Sequence, residues 1–440
     1  MRGRDARGGP RRPPGERGAR PRFFFGWYIV AAGLVTNLVM GAGLVGYIPG
    51  VFLEPMTQEL GWTRTEFIAA FIGGQVVMAF SGLVVGGLID RHGGRPLVLA
   101  GASATVVTLL LTAEVRELWQ WWLLRGLLQS AGIAVGGSLV VSVTLSKWFV
   151  ARRGRAIAIA AMGLSLAGVV VPNALTPVVD EFGWRWGWRV LALATAVLVM
   201  PAALAMRRQP EDHGLLPDGR LPGAGDGEGE MVARRDLERS LTRAQALRTS
   251  AFWLLVVAFG LVGLNVLSLA TQGLPFLTDV GFPRGTAALM LSLLALPGLL
   301  TRPLWGLAAE RMSVRLLATG AFAAVAVGML AVVATARAGS TPLVAASFLT
   351  VGIGMAGFAP LHEVLWATLF GRRYLGAVRG VVMPFSVVFG AAGPLALALY
   401  HDISGSYDGI LVVMGVLGLL AVLLMQFVRD PAAARRRSPG

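Results

Sequence analysis

The chain repeats itself at an offset of 220 residues, half of its 440. Gly61, Trp62 and Arg64 recur as Gly281, Phe282 and Arg284; Gly86, Asp90 and Arg91 as Gly306, Glu310 and Arg311; Gly132 and Ile133 as Gly352 and Ile353; Arg152 and Arg153 as Arg372 and Arg373. The charged turns repeat along with the apolar runs between them. A long-period duplication of this kind, with the same turn chemistry in the same place, is the sequence form of a carrier built from two parallel repeats around a shared site.

Composition sets the solvent. With 55% hydrophobic and 14% charged residues, the chain lies far from the roughly 25% charged residues of an ordinary soluble domain. Apolar runs near 25–53, 66–89, 96–115, 119–145, 156–178 and 188–206 form one set, and runs near 251–277, 286–308, 316–336, 342–369, 379–400 and 409–428 form the other. Each reaches the length of roughly 20 residues that a helix needs to cross hydrocarbon. The expected fold is therefore an all-α membrane protein of 12 transmembrane helices in two pseudo-symmetric six-helix bundles, 23–206 and 251–428. A basic tail (1–22), read as a disordered anchor rather than a signal peptide, a polar linker (207–250) and a basic end (429–440) complete the plan.

Several functions are excluded at this stage. There is no cysteine, and the four histidines are scattered at 92, 213, 362 and 401, so neither a metal centre nor any other cofactor is expected. The single lysine, Lys147, follows Leu-Ser rather than the glycine of a phosphate-cradling loop. No enzyme and no nucleotide-driven motor is indicated.

The net charge of +15 does not signal nucleic acid. With the N-terminus inside, internal tails and loops hold 31 of the 39 Lys+Arg, external loops six, and spans only Arg125 and Arg302, which is the positive-inside pattern. Both termini are thus expected in the cytoplasm, with a bacterial cytoplasmic (inner) membrane as the setting and the monomer as the working unit. Within the linker, 234–248 places arginines among Leu237, Leu241 and Leu247, readable either as a solvated basic segment or as a short amphipathic helix on the inner leaflet. Gly41, Gly43, Gly46 and Pro49 in the first run, Gly163, Gly168 and Pro172 in the fifth, Pro297 and Gly298 in the eighth and Pro360 in the tenth mark broken or closely packed spans. Runs one, four, five, seven, eight and ten have the most polar or broken interiors and are expected to line the cleft.

The turn Gly86-Gly-Leu88-Ile-Asp90-Arg91-His-Gly93-Gly-Arg95 resembles the signature loop of the major facilitator superfamily, and Gly306-Leu-Ala-Ala-Glu310-Arg311 is its weaker second copy. Trp148-Phe149 with Arg152, Arg153, Arg155 and Gly163 is similar to the fifth-helix signature of monocarboxylate transporters. Gly26-Trp27-Tyr28 and the tag Pro210 to Gly219 resemble the same group and its oxalate/formate exchanger relatives. The first resemblance implies a gate at Asp90, Arg91, Arg95, Glu310, Arg311, Arg152 and Arg153, in which a carboxylate at a helix end pairs across the bundles and releases; a fixed charged turn that only sets topology is the alternative.

Arg302-Pro303-Leu-Trp-Gly306-Leu resembles the eighth-helix pattern whose arginine the family uses to hold a carboxylate. An arginine in hydrocarbon costs roughly 3 kcal/mol or more, and its guanidinium grips a carboxylate through two parallel hydrogen bonds. The acidic residue that the family carries one turn earlier is here Gly298, and its lysine near the outer half of the first helix is Tyr47. Glu363, beside His362, lies inside the tenth span at a depth like that of Arg302. It reads either as a substrate- or proton-linked group or as a permanent salt-bridge partner, and His362 either shares the proton or packs. Arg125 serves a second substrate charge or a structural network, and Asn37, Gln75, Asn173, Asn265 and Gln272 are further candidates for the cavity wall. The reading is a secondary carrier moving a small organic anion, by proton symport or anion exchange, in a lipid bilayer. Efflux of an amphipathic or cationic compound is the alternative, and a membrane sensor or permease subunit a remote one.

Overall fold

The computed structural model describes residues 24–41, 48–219 and 227–431. Gly43, Gly46, Tyr47, the tail 1–22 and residues 432–440 lie outside these residues. Every long element is a helix. The first half holds α1 (Gly26–Gly41), α2 (Pro49–Leu60), α3 (Arg64–His92), α4 (Gly94–Thr112), α5 (Leu118–Trp148), α6 (Arg153–Phe182) and α7 (Trp184–Ala205). The linker carries α8 (Gly227–Glu238) and α9 (Arg243–Leu247). In the second half α10 (Ser250–Asp279), α11 (Arg284–Leu300), α12 (Arg302–Arg311), α13 (Val314–Arg337), α14 (Thr341–Phe370), α15 (Leu375–Ser404) and α16 (Asp408–Phe427) follow.

Among the described residues ten of these are long and apolar enough to span a membrane, α11 with α12 makes an eleventh span bent by 47°, and α1 is a shorter apolar helix. The chain is a multi-pass membrane protein. Helix starts follow the local sequence: the Thr63 hydroxyl accepts from the Glu66 N–H while the Glu66 carboxylate accepts from the Thr63 N–H, closing a capping box at the head of α3. Thr249 and Ser313 cap α10 and α13 in the same way with one bond each. Gly61 and its repeat Gly281 both take positive φ, 68° and 101°, so the sharp turns ahead of α3 and α11 have the same cause.

The span made of α11 and α12 breaks at Thr301. Pro297 and Pro303 both lack an N–H, so the carbonyls of Leu293 and Leu299 lose their helical donors and the ladder is interrupted here. The Thr301 N–H and hydroxyl both donate to the Pro297 carbonyl, at 2.8 and 2.9 Å. Arg302 is thereby the first residue of a new helix with its own direction.

The two halves meet through glycines at the end that carries the linker. A Cβ on Gly86 would stand 2.1 Å from the Gly376 carbonyl oxygen, one on Gly380 2.1 Å from that of Gly82, and one on Gly154 2.2 Å from that of Gly306. Backbone touches backbone between α3 and α15 and between α6 and α12. Toward the other end burial falls away: α15 buries Leu375, Gly376 and Val378 to Val382, then only Gly393 and Leu397, and beyond Ala167 α6 buries only Leu175 and Val179. The halves are pressed together on the linker face and part toward the opposite face.

This close approach makes a sharp prediction. Gly86→Ala must push α3 off α15, and overpacking of this kind costs about 1–3 kcal/mol, so transport in reconstituted vesicles should fall about tenfold. Gly87→Ala, where nothing lies within 4 Å of the new methyl, should leave it unchanged.

Candidate functional site

Midway along the contact between the halves lies a cavity of about 130 Å³. α1 contributes Asn37, α5 Ser138 and Ser142, α6 Ala161, and the second half Arg302, His362 and Glu363. The break at Thr301 aims Arg302 into this space. Its Nη1 donates to the Ala161 carbonyl at 2.8 Å and to the Ser165 hydroxyl at 2.7 Å, so the guanidinium reaches from one half to the other. Arg302 is 8% exposed. Gly298 leaves room beside it, since a Cβ there would lie 3.9 Å from Arg302 Nη2.

Arg302 and Glu363 share the cavity, yet Glu363 takes a different partner. Its carboxylate pairs with Arg379 of α15, a side chain only 4% exposed. Arg379, not counted inside a span from the sequence alone, is thus a further buried arginine beside Arg125 and Arg302. The sixteen-residue separation of Glu363 and Arg379 gives no helical register by which to pair them, and Arg379 stood at the edge of its apolar run; only the start of α15 four residues earlier, at Leu375, carries it into the packed interior. Glu363 is thus paired with Arg379, and Arg302 lies in the wall of the same cavity.

Arg379 Nη1 also sits 3.1 Å from His362 Nε2. A guanidinium only donates, so Nε2 accepts and the ring carries its proton on Nδ1. The imidazole packs 4.3 Å from the Phe259 ring and 5.8 Å from that of Phe358, centroid to centroid. In this state His362 is a neutral packing and accepting group. Removing one member of a buried pair typically costs about 3–5 kcal/mol, because the other is stranded. Arg379→Met should therefore lower the melting temperature of the purified protein clearly, and Arg379→Met with Glu363→Gln should recover most of the loss.

Asn37 donates its Nδ2 to the Ala160 carbonyl at 2.9 Å, while its buried Oδ1 has no hydrogen-bond partner among the described residues. Three of the expected site residues stand elsewhere. Asn265 is fully buried, bonds the Leu261 carbonyl of its own helix and faces Gly418 of α16. Arg125 lies in a π-helical stretch, Trp122–Gln129, its guanidinium 4.1 Å from the centre of the Phe71 ring. It stands thirteen residues ahead of Ser138, about 20 Å along a helix. Asn173 is exposed and bonds the Val169 carbonyl.

On the linker face the duplicated carboxylates act in exchange. Asp90 accepts from the N–H groups of Gly376 (3.2 Å) and Ala377 (2.8 Å) at the head of α15, and pairs with Lys147 at 2.9 Å. Glu310 accepts from the Arg155 N–H (3.2 Å) near the head of α6, and from the Arg155 guanidinium. Each half thus places its acidic turn on the positive helix end of the other. The cations in these pairs are Lys147 and Arg155. Arg91, Arg95, Arg152 and Arg311 are exposed and make no ion pair among the described residues. Lys147 was legible only as the chain's one lysine, and Arg155 only as part of the fifth-helix signature.

Arg153, 4% exposed, donates to the carbonyls of Phe149 and Ser146 and lies 3.4 Å from Asp236 of α8. Arg372 reaches the same Asp236 at 3.2 Å, Glu211 at 2.5 Å and the Lys147 carbonyl at 3.0 Å. Asp218 accepts from the N–H groups of Val150, Ala151 and Arg152. The described part of the linker docks on both halves: its acids pair with them, Leu241 is buried, and the Leu241 N–H donates to the Phe370 carbonyl, while Arg234, Arg235, Arg239, Arg243 and Arg248 stay exposed.

A family model described as Major Facilitator Superfamily matches residues 34–286 and 266–440. The chain belongs to that superfamily. Among curated relatives, the Fujikurins efflux protein of Gibberella fujikuroi is 34% identical over 141 residues, 32% of this chain and 30% of that protein. The match thus spans under a third of that relative's length. Monocarboxylate transporter 11 of Mus musculus is 26% identical over 87% of this superfamily member and 83% of its own length. The Oxalate:formate antiporter of Oxalobacter formigenes is 23% identical over 83% and 84%. Among solved structures, the human organic anion transporter MFSD10 superposes with a TM-score of 0.66 at 18% identity, covering 90% of this chain and 98% of that one, a likeness of fold.

Proposed function

We propose that this superfamily member carries a small carboxylate-bearing anion across the membrane by alternating access, with Arg302 holding the carboxylate. The observation that carries this reading is the Arg302 guanidinium in the wall of the central cavity, shared by both halves. The cavity's 130 Å³ equals about four water volumes, well under the roughly 300–1,000 Å³ of drug-sized sites. The relatives that match along most of their length are named for monocarboxylate and for oxalate and formate. Glu363 and Arg379 form the paired charge beside the solute, and their separation is the step through which a proton or a second anion couples. The linker face is taken as cytoplasmic from the positive-inside pattern of the sequence, with both termini inside. Relatives from Gibberella fujikuroi, Mus musculus and Oxalobacter formigenes do not single out a bacterial inner membrane.

A second reading, efflux of an amphipathic compound, draws on the fungal efflux relative and on a more apolar cavity of about 200 Å³, lined by Gln75, Met78, Ile133 and Met383, which shares Ser138 with the central one. Counterflow in proteoliposomes separates the two. Labelled oxalate, lactate or pyruvate should exchange and a lipophilic cation should not; the reverse result rejects the anion. Gly298→Asp supplies a further check, because a carboxylate grown beside Arg302 Nη2 competes with the solute, and the apparent KM for the anion should rise at least about tenfold, as expected for one intruding charge-assisted bond.

A further inference from the structure

A second, larger cavity, of about 610 Å³, opens on the linker face between the halves. Its charged lining is lopsided: Arg91, Lys147, Arg208, Arg372 and Arg373 against Asp90 and Glu211, five cations and two anions, a balance of +3. Lys147 is held by Asp90 and Arg372 by Glu211 and Asp236. The guanidiniums of Arg91, Arg208 and Arg373 are exposed and have no carboxylate partner among the described residues. Three like charges around one concave, low-dielectric opening focus a positive field into it, and the volume lies in the range of small-molecule sites.

We propose that this cavity is a binding site for a polyvalent, phosphate-bearing anion, which locks the linker face shut. Arg91 comes from the first half, Arg208 from the start of the linker where it packs on Gly93 of the first half, and Arg373 from the second half, while the Asp90–Lys147 pair and the head of α15 form the wall between them. When the halves part on this face the three guanidiniums separate, so the anion binds one conformation and stabilises it by mass action. A dianion or higher is required, because a single negative charge satisfies one guanidinium and leaves two repelling. In the orientation proposed above the ligand comes from the cytosol and slows inward opening, and so regulates transport without entering the transport site.

The test is calorimetric titration of inorganic pyrophosphate into the full-length protein in phosphatidylcholine nanodiscs, at fixed ionic strength with chloride as the control. Pyrophosphate should bind the wild type, and Arg208→Ala with Arg373→Ala should weaken binding at least about tenfold, roughly 1.4 kcal/mol, without changing the melting temperature. Gly86→Ala, which keeps every arginine but holds the face apart, should weaken it too. Arg302→Ala should leave pyrophosphate binding intact, so this inference and the transport reading fail separately. If phosphatidic acid in the nanodisc suppresses the pyrophosphate heat through the same arginines, the anion is a lipid headgroup rather than a soluble phosphate, and the phosphate-bearing class stands. Absence of binding to the wild type, or equal binding after both substitutions, overturns the site; full binding by Gly86→Ala overturns the lock.

Discussion

Arg302→Ala should reduce counterflow of the transported carboxylate by about a hundredfold or more, and Arg302→Lys should restore only part of it. Losing one partner of a desolvated, hydrogen-bonded charge pair costs about 2–5 kcal/mol, which is a factor of roughly thirty to several thousand. Lysine keeps the charge but not the planar fork that matches a carboxylate in two parallel bonds. The arginine also ties the halves together through the Ala161 carbonyl and the Ser165 hydroxyl, so the structural share of its effect needs its own control. Ser165→Ala removes one of those bonds while leaving the guanidinium in place, and a neutral partner of this kind contributes only about 1 kcal/mol. Transport by Ser165→Ala should therefore stay within about tenfold of wild type. If both variants fall together by the same factor, the guanidinium serves closure of the halves rather than the solute.

The other large effect concerns the linker face. Asp90 accepts two backbone N–H groups at the head of α15 and holds the buried Lys147. Asp90→Asn keeps the shape but strands the lysine charge, at a cost of about 3 kcal/mol or more, so the closed-to-open ratio on this face should shift on the order of a hundredfold. The chain contains no cysteine, so Leu145→Cys introduces a single thiol, at a position fully buried on the central cavity. In inside-out vesicles, a membrane-impermeant maleimide should label that thiol far faster when Asp90 is asparagine, while net transport falls because closure is lost. Unchanged labelling would mean that the charged turn fixes topology alone. Glu310→Gln should act in the same direction and more weakly, since the Arg155 side chain it holds is 38% exposed and a solvated cation is stranded at little cost.

The fold was legible because its signal is long-range and redundant: an offset of 220 ties Gly86 to Gly306 and Asp90 to Glu310 before any helix is drawn. Of the glycines read as close-packed, Gly163 does meet backbone, the Leu34 carbonyl at 2.2 Å, whereas the contacts between α3 and α15 and between α6 and α12 fall on Gly82, Gly86, Gly376, Gly380, Gly154 and Gly306, glycines the sequence analysis does not single out for packing. The site was legible in part. Arg302 announced itself as a charge in an apolar run beside a helix-breaking proline, and the structure sets it in the cavity wall with Glu363 and Asn37. What the sequence withheld were pairings between residues far apart in the chain. Arg379 with Glu363 depends on where α15 begins, Lys147 with Asp90 on how α5 ends against α3, and Asp236 with both Arg153 and Arg372 on a linker that docks. Asn265 misled for the complementary reason. A polar residue in a span can bond its own helix, here the Leu261 carbonyl, and face a neighbouring glycine rather than the cleft.

The central claim is that the buried guanidinium of Arg302 receives a carboxylate in the cavity between the halves. Thermal melting of the purified protein against a panel of small carboxylates, run in parallel on wild type and Arg302→Ala, tests it most directly. At least one carboxylate should raise the melting temperature of the wild type, in a saturable way, and none should raise that of the alanine variant. Stabilisation of both proteins by the same carboxylate, or stabilisation of the wild type by amphipathic cations and by no carboxylate, would contradict it.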